Sequence, residues 1–363
     1  MRIVQILPEL NEGGVERGTV ELSAELVKNS HESIVISSGG KLVSQIEKDG
    51  AKHILLDVSS KNPFTAFIRV LSLRKVLKEI KPDIVHVRSR VPAWLTFLAN
   101  RTLAIPSVTT VHGFNSVNYY SKIMTHGDSV ICVSSAIKEY IKKHYDVEDD
   151  RISVIARGVD LENFNPQNLD KYFINEFKKD YNLDEKIVIS SVGRITQLKD
   201  YETFIRSISL LKKEIPNVIG LIVGSAHRDR EGYYQKLLTL VQTLDLDENI
   251  IFTGNQSKIA EIYSLSTVIV SSSKKPESFG RSVAEAIAMN TPVVATRHGG
   301  VLDIIKDGEN GYFFEVTDEK DLSKKILLAS KLEFNGFAYI SENFSLKKMV
   351  RETLVVYENL VKR

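Results

Sequence analysis

The stretch KPESFGRSVAEA, residues 275–286, sets two glutamates, Glu277 and Glu285, around Phe279, Gly280 and Arg281. Carboxylates accept hydrogen bonds from hydroxyl groups, and two vicinal hydroxyls can engage one carboxylate together. The amides of Ser278, Phe279 and Gly280 open a run of small residues that reads as a helix. Amides at a helix start can meet a phosphate or a sugar hydroxyl. On spacing alone the plainer reading, two unrelated acids on a solvated face, is favoured.

Four other groups could do chemistry. In GRITQLKDYETFI, Arg194 and Lys199 offer a guanidinium fork and a compact ammonium. That pair suits a diphosphate and would stabilise it as charge grows on a leaving group. A pair of solvated surface cations competes with this reading. In PELNEGGVERG, Gly13 and Gly14 let backbone N–H groups approach an anion at a helix start. The spacing matches neither the dinucleotide fingerprint nor the phosphate loop, and a plain strand-to-helix turn competes. His112, in TTVHG, follows a strand, where a structural histidine is as good a reading as a functional one. Arg88 and Arg90, in HVRSRVPAW, could bind a carboxylate or phosphate of an acceptor. Metal signals are weak: there is no H-E-x-x-H and no C-x-x-C, and Asp245-Leu-Asp247 reads as surface.

The elements that must carry these residues alternate. Short β-branched runs are separated by longer amphipathic segments, which argues for βαβ units and parallel sheets. The first half offers strands at 2–7, 33–37, 53–57, 83–87, 107–111, 129–133 and 152–155. A polar, irregular stretch, RGVDLENFNPQNLDKYF, interrupts the rhythm, which resumes with strands at 186–192, 218–223, 249–252, 267–271, 292–295 and 311–314. The expected fold is therefore α/β, with two Rossmann-like doubly wound domains facing across a cleft, 1–165 and 166–345, and a final helix 346–363. The apolar stripe expected on that helix is Leu346, Met349, Val350, Leu354, Tyr357 and Val361. Sheets of this kind bind ligands beyond the carboxyl ends of their strands, so the loops that follow strands are where sites belong. Every candidate above except Asp245-Leu-Asp247 sits in such a loop or on the helix after it, Glu285 about two turns in.

Composition sets outer bounds. The chain has 363 residues, enough for two cores, with 43% hydrophobic and 26% charged residues. A net charge of +2 points to no nucleic-acid partner. The one cysteine, Cys132, reads as a buried strand residue and fits a reducing compartment. No apolar run reaches membrane-spanning length. The segment 61–81 is amphipathic, and Lys61, Arg69, Arg74, Lys75, Lys78 and Lys81 oppose only Glu79 there. Such a helix can dock on anionic lipid, although a core-facing helix with a solvated cationic face is the plainer reading.

Taken in order, EGG, VHG, ARGVD, VGRITQLKD, FTG and ESFGRSVAEAIAMNTPVVATRHGG resemble the family 4 glycosyltransferases of GT-B fold. The resemblance runs nearly the whole length. It implies retaining transfer of a hexose from a nucleotide-sugar co-substrate, with no cofactor and no catalytic metal. It also implies roles by matching motif. Arg194 and Lys199 bind the donor diphosphate, which Gly14 approaches by backbone. Glu285 holds ribose hydroxyls, and Glu277 holds donor-sugar hydroxyls beside the Phe279 and Gly280 amides. His112 lies near the reaction centre, Gln256 neighbours the base, and the final helix packs back on the first domain.

Many members have Asn-Gly-Val-Asp where this chain has Arg157-Gly158-Val159-Asp160. That variant and HVRSRVPAW are similar to alphaproteobacterial lipopolysaccharide-core mannosyltransferases. This narrower likeness implies GDP-mannose as donor, an anionic glycolipid or saccharide acceptor met by Arg88 and Arg90, and a cytoplasmic enzyme at the inner membrane face. A UDP-sugar donor for another envelope glycan, an epimerase and a non-catalytic sugar-nucleotide binder are the alternatives.

Overall fold

A computed structural model describes residues 1–11, 13–226 and 231–362. In the first half, β1 (Arg2–Ile6), β2 (Glu32–Ser37), β3 (Lys52–Leu55), β4 (Ile84–Val87), β5 (Ser107–Val111), β6 (Ser129–Cys132) and β7 (Ile152–Val154) form one sheet. Its order is β3-β2-β1-β4-β5-β6-β7, all parallel. In the second half, β8 (Ile187–Val192), β9 (Val218–Val223), β10 (Ile250–Gly254), β11 (Val268–Ser271), β12 (Val293–Thr296) and β13 (Gly311–Phe314) form another. Its order is β10-β9-β8-β11-β12-β13, again parallel.

The near-continuous apolar strands are explained by burial on both faces. Ile3 and Val4 are neighbours in β1, so their side chains point to opposite faces. Val4 joins a layer containing Leu73 and Leu77 of the helix Ala66–Ile80. Ile3 joins a layer containing Leu22 and Leu26 of the helix Gly14–Lys28 and Tyr357 of the helix Leu346–Val361.

Strand order reverses beside β1 in one sheet and beside β8 in the other. At such a point successive connections leave toward opposite faces, so a crevice opens beyond the carboxyl ends of the two central strands. The loops after β1 and β4, and those after β8 and β11, are therefore the places each sheet offers a ligand.

The chain divides into two compact units, residues 1–158 with 346–363, and residues 159–345. The division lies earlier than the expected 165/166 boundary. Val159 already belongs to the second unit, because its amide donates to the Phe344 carbonyl at 2.8 Å and it bridges Ser345.

Two helices differ from expectation. On Ala66–Ile80 the buried stripe is Arg69, Leu73 and Leu77, one residue every four. Arg69 is thus not on a solvated cationic face; its guanidinium donates to the Ser60 and Asn62 carbonyls at 2.6 and 2.7 Å. The displaced apolar side chains face outward: Phe67 is 71% exposed and Ile68 64%, next to Phe64 at 91%. On the final helix the buried residues are Val350, Thr353, Val356, Tyr357 and Leu360, while Val361 is exposed. Thr353 can turn inward because its hydroxyl donates to the Met349 carbonyl at 2.8 Å.

Candidate active site

In the second unit, the loops after β8 and β11 are stitched together. Ser272 donates from its hydroxyl to the Lys199 carbonyl at 2.8 Å, and the Lys274 amide donates to the Leu198 carbonyl at 2.8 Å. Asp200, left-handed at φ 50°, caps the helix Tyr201–Leu211 and is itself paired with Lys274 at 3.0 Å. These contacts fix the backbone on which Lys199 stands.

Lys199 and Glu277 meet. The ammonium donates to the carboxylate at 2.5 Å, and the Ser273 hydroxyl donates to the same oxygen at 2.7 Å. Burial pushes the Glu277 carboxyl up, but the Lys199 charge and hydrogen bonds from Lys199, Ser273 and Ser271 outweigh it. Its pKa lies below the usual carboxylate range, so Glu277 is an anion at neutral pH. Its backbone is held from the other side: Gly300 donates its amide to the Glu277 carbonyl at 2.7 Å, and Glu277 bridges Gly299. A side chain on Gly299 would lie 2.5 Å from the Glu277 carbonyl oxygen, which explains the glycines of RHGG.

Glu285 lies on the helix Arg281–Ala288 and is 7% exposed. The Tyr263 hydroxyl donates to it at 3.2 Å. Burial first, then the charges of Glu285 and Glu277, hold the Tyr263 phenol well above its ordinary pKa. One phenol thus feels both glutamates. Gly280, at φ 103°, precedes the helix in a conformation that favours glycine, and a Cβ there would come within 2.6 Å of Val301 Cγ1. Phe279 is buried beside Phe344, and Ser278 is half-buried. Arg194 is exposed; Gln256 is half-buried and turns its amide back to the Thr253 carbonyl at 3.0 Å.

In the first unit, Gly13 precedes and Gly14 opens the helix Gly14–Lys28 after β1, and His112 follows β5. Arg157 joins them. One of its nitrogens donates to the Gly14 carbonyl, and the other lies 3.2 Å from His112 Nδ1. Burial, then the charges of Arg157 and Arg88, keep His112 well below its ordinary pKa, hence neutral. Arg88 is buried and donates to Gln5 Oε1 at 2.8 Å; desolvation lowers its pKa to about 10, which still leaves it charged. His86 is buried between the Tyr357 and Thr110 hydroxyls, each at 2.6 Å. A cavity of about 30 Å³ is lined by His86, Arg88, His112 and Arg157. Arg90 goes elsewhere: it bonds the Ser121 hydroxyl at 3.2 Å and lies over the Tyr120 ring. The two arginines proposed for one acceptor thus have different surroundings.

Sequence reasoning left out Ser273, Tyr263 and the contact made by Arg157. The run SSSKK and the Arg157 variant were the available signals, but neither names its partner. Cys132 is buried in β6 and its thiol is pushed up to about 12, so it stays protonated. Asp245 sits in the turn before β10, at the amino end of that strand, with its carbonyl accepting from Lys212. Among the described residues no three His, Cys, Asp or Glu side chains cluster as metal ligands would.

Residues 173–343 match the family described as glycosyl transferases group 1, and residues 12–163 match Glycosyltransferase Family 4. A crystal structure of a glycosyltransferase from Rickettsia africae is 32% identical, with a TM-score of 0.92, covering 100% of this chain and 99% of that one. HepE from Anabaena, in complex with UDP-glucose, has a TM-score of 0.81 at 19% identity, over 98% and 100% of the two chains. The N-acetyl-alpha-D-glucosaminyl L-malate synthase of Bacillus anthracis is 26% identical, over 94% of this chain and 93% of that one. The lipopolysaccharide core biosynthesis mannosyltransferase LpsB of Rhizobium meliloti is 28% identical, over 65% of this chain and 66% of that one. The chain belongs to the glycosyltransferases, with a family 4 first half and a group 1 second half, and is a hexosyltransferase of the two-Rossmann-domain GT-B fold.

Proposed function

We propose that this glycosyltransferase moves a hexose from a nucleoside-diphosphate sugar to an acidic cell-envelope saccharide or glycolipid, retaining configuration and using no metal. The observation that carries the reading is the pairing of an ionised Glu277 with Lys199 and Ser273, next to a buried Glu285 held by Tyr263. Glu277 has no proton to give and so is no general acid, and the hydrogen bonds from Lys199 and Ser273 to one of its oxygens weaken it as a base or nucleophile. It suits an acceptor of sugar hydroxyls better than a base or a covalent nucleophile. Lys199 neutralises that carboxylate and offers its remaining protons to a diphosphate, with Arg194 as the second cation. Glu285 takes the ribose hydroxyls, Gln256 lies by the base, and the Ser278–Gly280 amides meet the sugar.

In the transfer, the bond from the sugar's anomeric carbon to the diphosphate oxygen breaks. The acceptor oxygen bonds to that carbon on the same face, and its proton passes to the departing phosphate oxygen. Lys199 and Arg194 would stabilise the charge that develops there. His112 is neutral and serves as a hydrogen-bonding group.

Mannose from GDP-mannose onto a lipopolysaccharide core is the specific reading. It is supported by the Arg157-Gly158-Val159-Asp160 and HVRSRVPAW segments and by the likeness to the Rhizobium mannosyltransferase. The HepE complex with UDP-glucose supports a UDP-sugar as the competing donor. An acidic acceptor fits the buried charge of Arg88, and one relative is named an N-acetyl-alpha-D-glucosaminyl L-malate synthase. No helix among the described residues is long and apolar enough to cross a membrane. Exposed Phe64, Phe67 and Ile68 beside Lys61, Arg74, Lys75 and Lys78 suit a peripheral position on the cytoplasmic membrane face.

The test is incubation with UDP-, GDP- and ADP-sugars, with and without a lipid-extract acceptor. Acceptor-dependent release of one nucleoside diphosphate is expected. Release that needs no acceptor, or turnover of the donor alone to an epimer, overturns transfer. In a thermal-shift panel GDP is the expected stabiliser.

A further inference from the structure

The reading above gives Arg157 no role beyond marking a subfamily. Its guanidinium carries only donors and does not lose its charge near neutral pH. An arginine nitrogen 3.2 Å from His112 Nδ1 therefore requires that nitrogen to be the acceptor. A neutral imidazole whose Nδ1 accepts carries its hydrogen on Nε2. The Nε2 atom is buried and finds no hydrogen-bond partner among the described residues.

The groups facing His112 all work against a second proton. Arg157 approaches it from the segment after β7, and Arg88 and His86 from β4 and the loop beyond it. Arg157 is itself anchored, because its other nitrogen donates to the carbonyl of Gly14. A side chain on Gly14 would lie 3.0 Å from that nitrogen, so the glycine leaves the guanidinium its place.

We infer that Arg157 is a positioning residue that fixes His112 as the neutral, Nε2-protonated tautomer, so that His112 serves the reaction as a hydrogen-bond donor. The unpartnered Nε2 hydrogen then marks where an oxygen of a substrate belongs. Arginine combines a donor with a permanent charge. The donor sets the tautomer, and the charge discourages protonation. The consequence for turnover rests on the transfer reading above; the tautomer itself does not.

Nitrogen-15 spectra of histidine-labelled protein report the tautomer directly. Unsubstituted protein should show His112 with a bare Nδ1 and a protonated Nε2 through neutral pH. Arg157→Met should give a tautomer mixture and a higher pKa for His112, and Arg157→Lys should restore the Nε2–H signature in part. Turnover gives the second readout. Arg157→Met should lower kcat/KM roughly tenfold at pH 7.5 and add an acidic limb to the pH profile. In the His112→Gln background the same substitution should cost little more, because the two residues act in series. An Nδ1–H signal in the unsubstituted protein, or an unchanged tautomer in a folded Arg157→Met, overturns the inference. Fully additive losses in the double variant overturn it as well. If the tautomer behaves as expected but His112→Gln turns over normally, the positioning stands and the role proposed for His112 in transfer fails.

Discussion

At the scale of the residue, Lys199 and Glu285 can be separated by experiment because each substitution is expected to touch a different stage. On the proposed role of Lys199 at the departing diphosphate, Lys199→Ala should lower turnover about a hundredfold. Full kcat at saturating donor would remove Lys199 from that role. Glu285→Gln keeps shape and loses charge, so it should weaken donor binding by about tenfold with a smaller effect on kcat. Calorimetry with the donor decides this, and an unchanged Kd argues against the ribose contact. Titration is a third lever. His86 and His112 are held neutral by burial, well below the ordinary value of about 6.5 that they regain on unfolding. The unfolded chain therefore binds more protons than the folded one as pH drops below about 6.5. Stability should be flat above that pH and decline below it, seen as a lower denaturant midpoint at pH 5.5 than at pH 7.5. An acid limb beginning only near the carboxylate range would show that these histidines do not contribute.

At the scale of the element, the loop between β11 and its helix depends on backbone more than on side chains. Gly280 has a left-handed φ and no room for a methyl group. Gly280→Ala should displace residues 277–280 and lower donor affinity while leaving overall helix content unchanged; circular dichroism with a donor-binding assay checks both. Much of this architecture was legible. Most strands among the described residues appear in the sequence as β-branched runs, since a parallel strand buried on both faces leaves little room for polar interruption; Gly311–Phe314 is aromatic instead, and the edge strand Lys52–Leu55 is partly exposed. Their ends differ by a residue or two, because pairing decides where a ladder stops. The two glutamates, Lys199 and the glycines stood out through motif and loop position. What stayed hidden was partnership across long separations: Ser273 on Glu277, Tyr263 under Glu285, Arg157 on His112. Periodicity also misled on Ala66–Ile80. Arg69 turns inward there, where its two terminal nitrogens donate to the Ser60 and Asn62 carbonyls, and Phe67 and Ile68 are left outside. Phe67→Ser with Ile68→Ser should reduce binding to anionic lipid vesicles severalfold without changing donor binding in solution. Equal vesicle binding would argue against a membrane role for this face.

At the scale of the whole molecule, the final helix is a structural part of the first unit. Tyr357 is buried and gives His86 one of its two hydrogen bonds. Tyr357→Phe leaves His86 Nδ1 without a partner in an apolar layer, which should cost about 1–3 kcal/mol. A thermal scan checks this, and an unchanged midpoint would mean that His86 is satisfied in another way. The same arrangement has a bearing on how the chain is made. The second unit is inserted between the residues of the first, with Val159 and Ser345 side by side at its ends. On a ribosome the strands of the first unit emerge early, yet the helix that covers Ile3, Ile84 and Val108 is translated only after the whole second unit. At ~5–20 residues per second the intervening segment takes on the order of ten to forty seconds. Through that interval the second unit can complete its own sheet while the first keeps an apolar layer uncovered, so the portion synthesised first is the last to close.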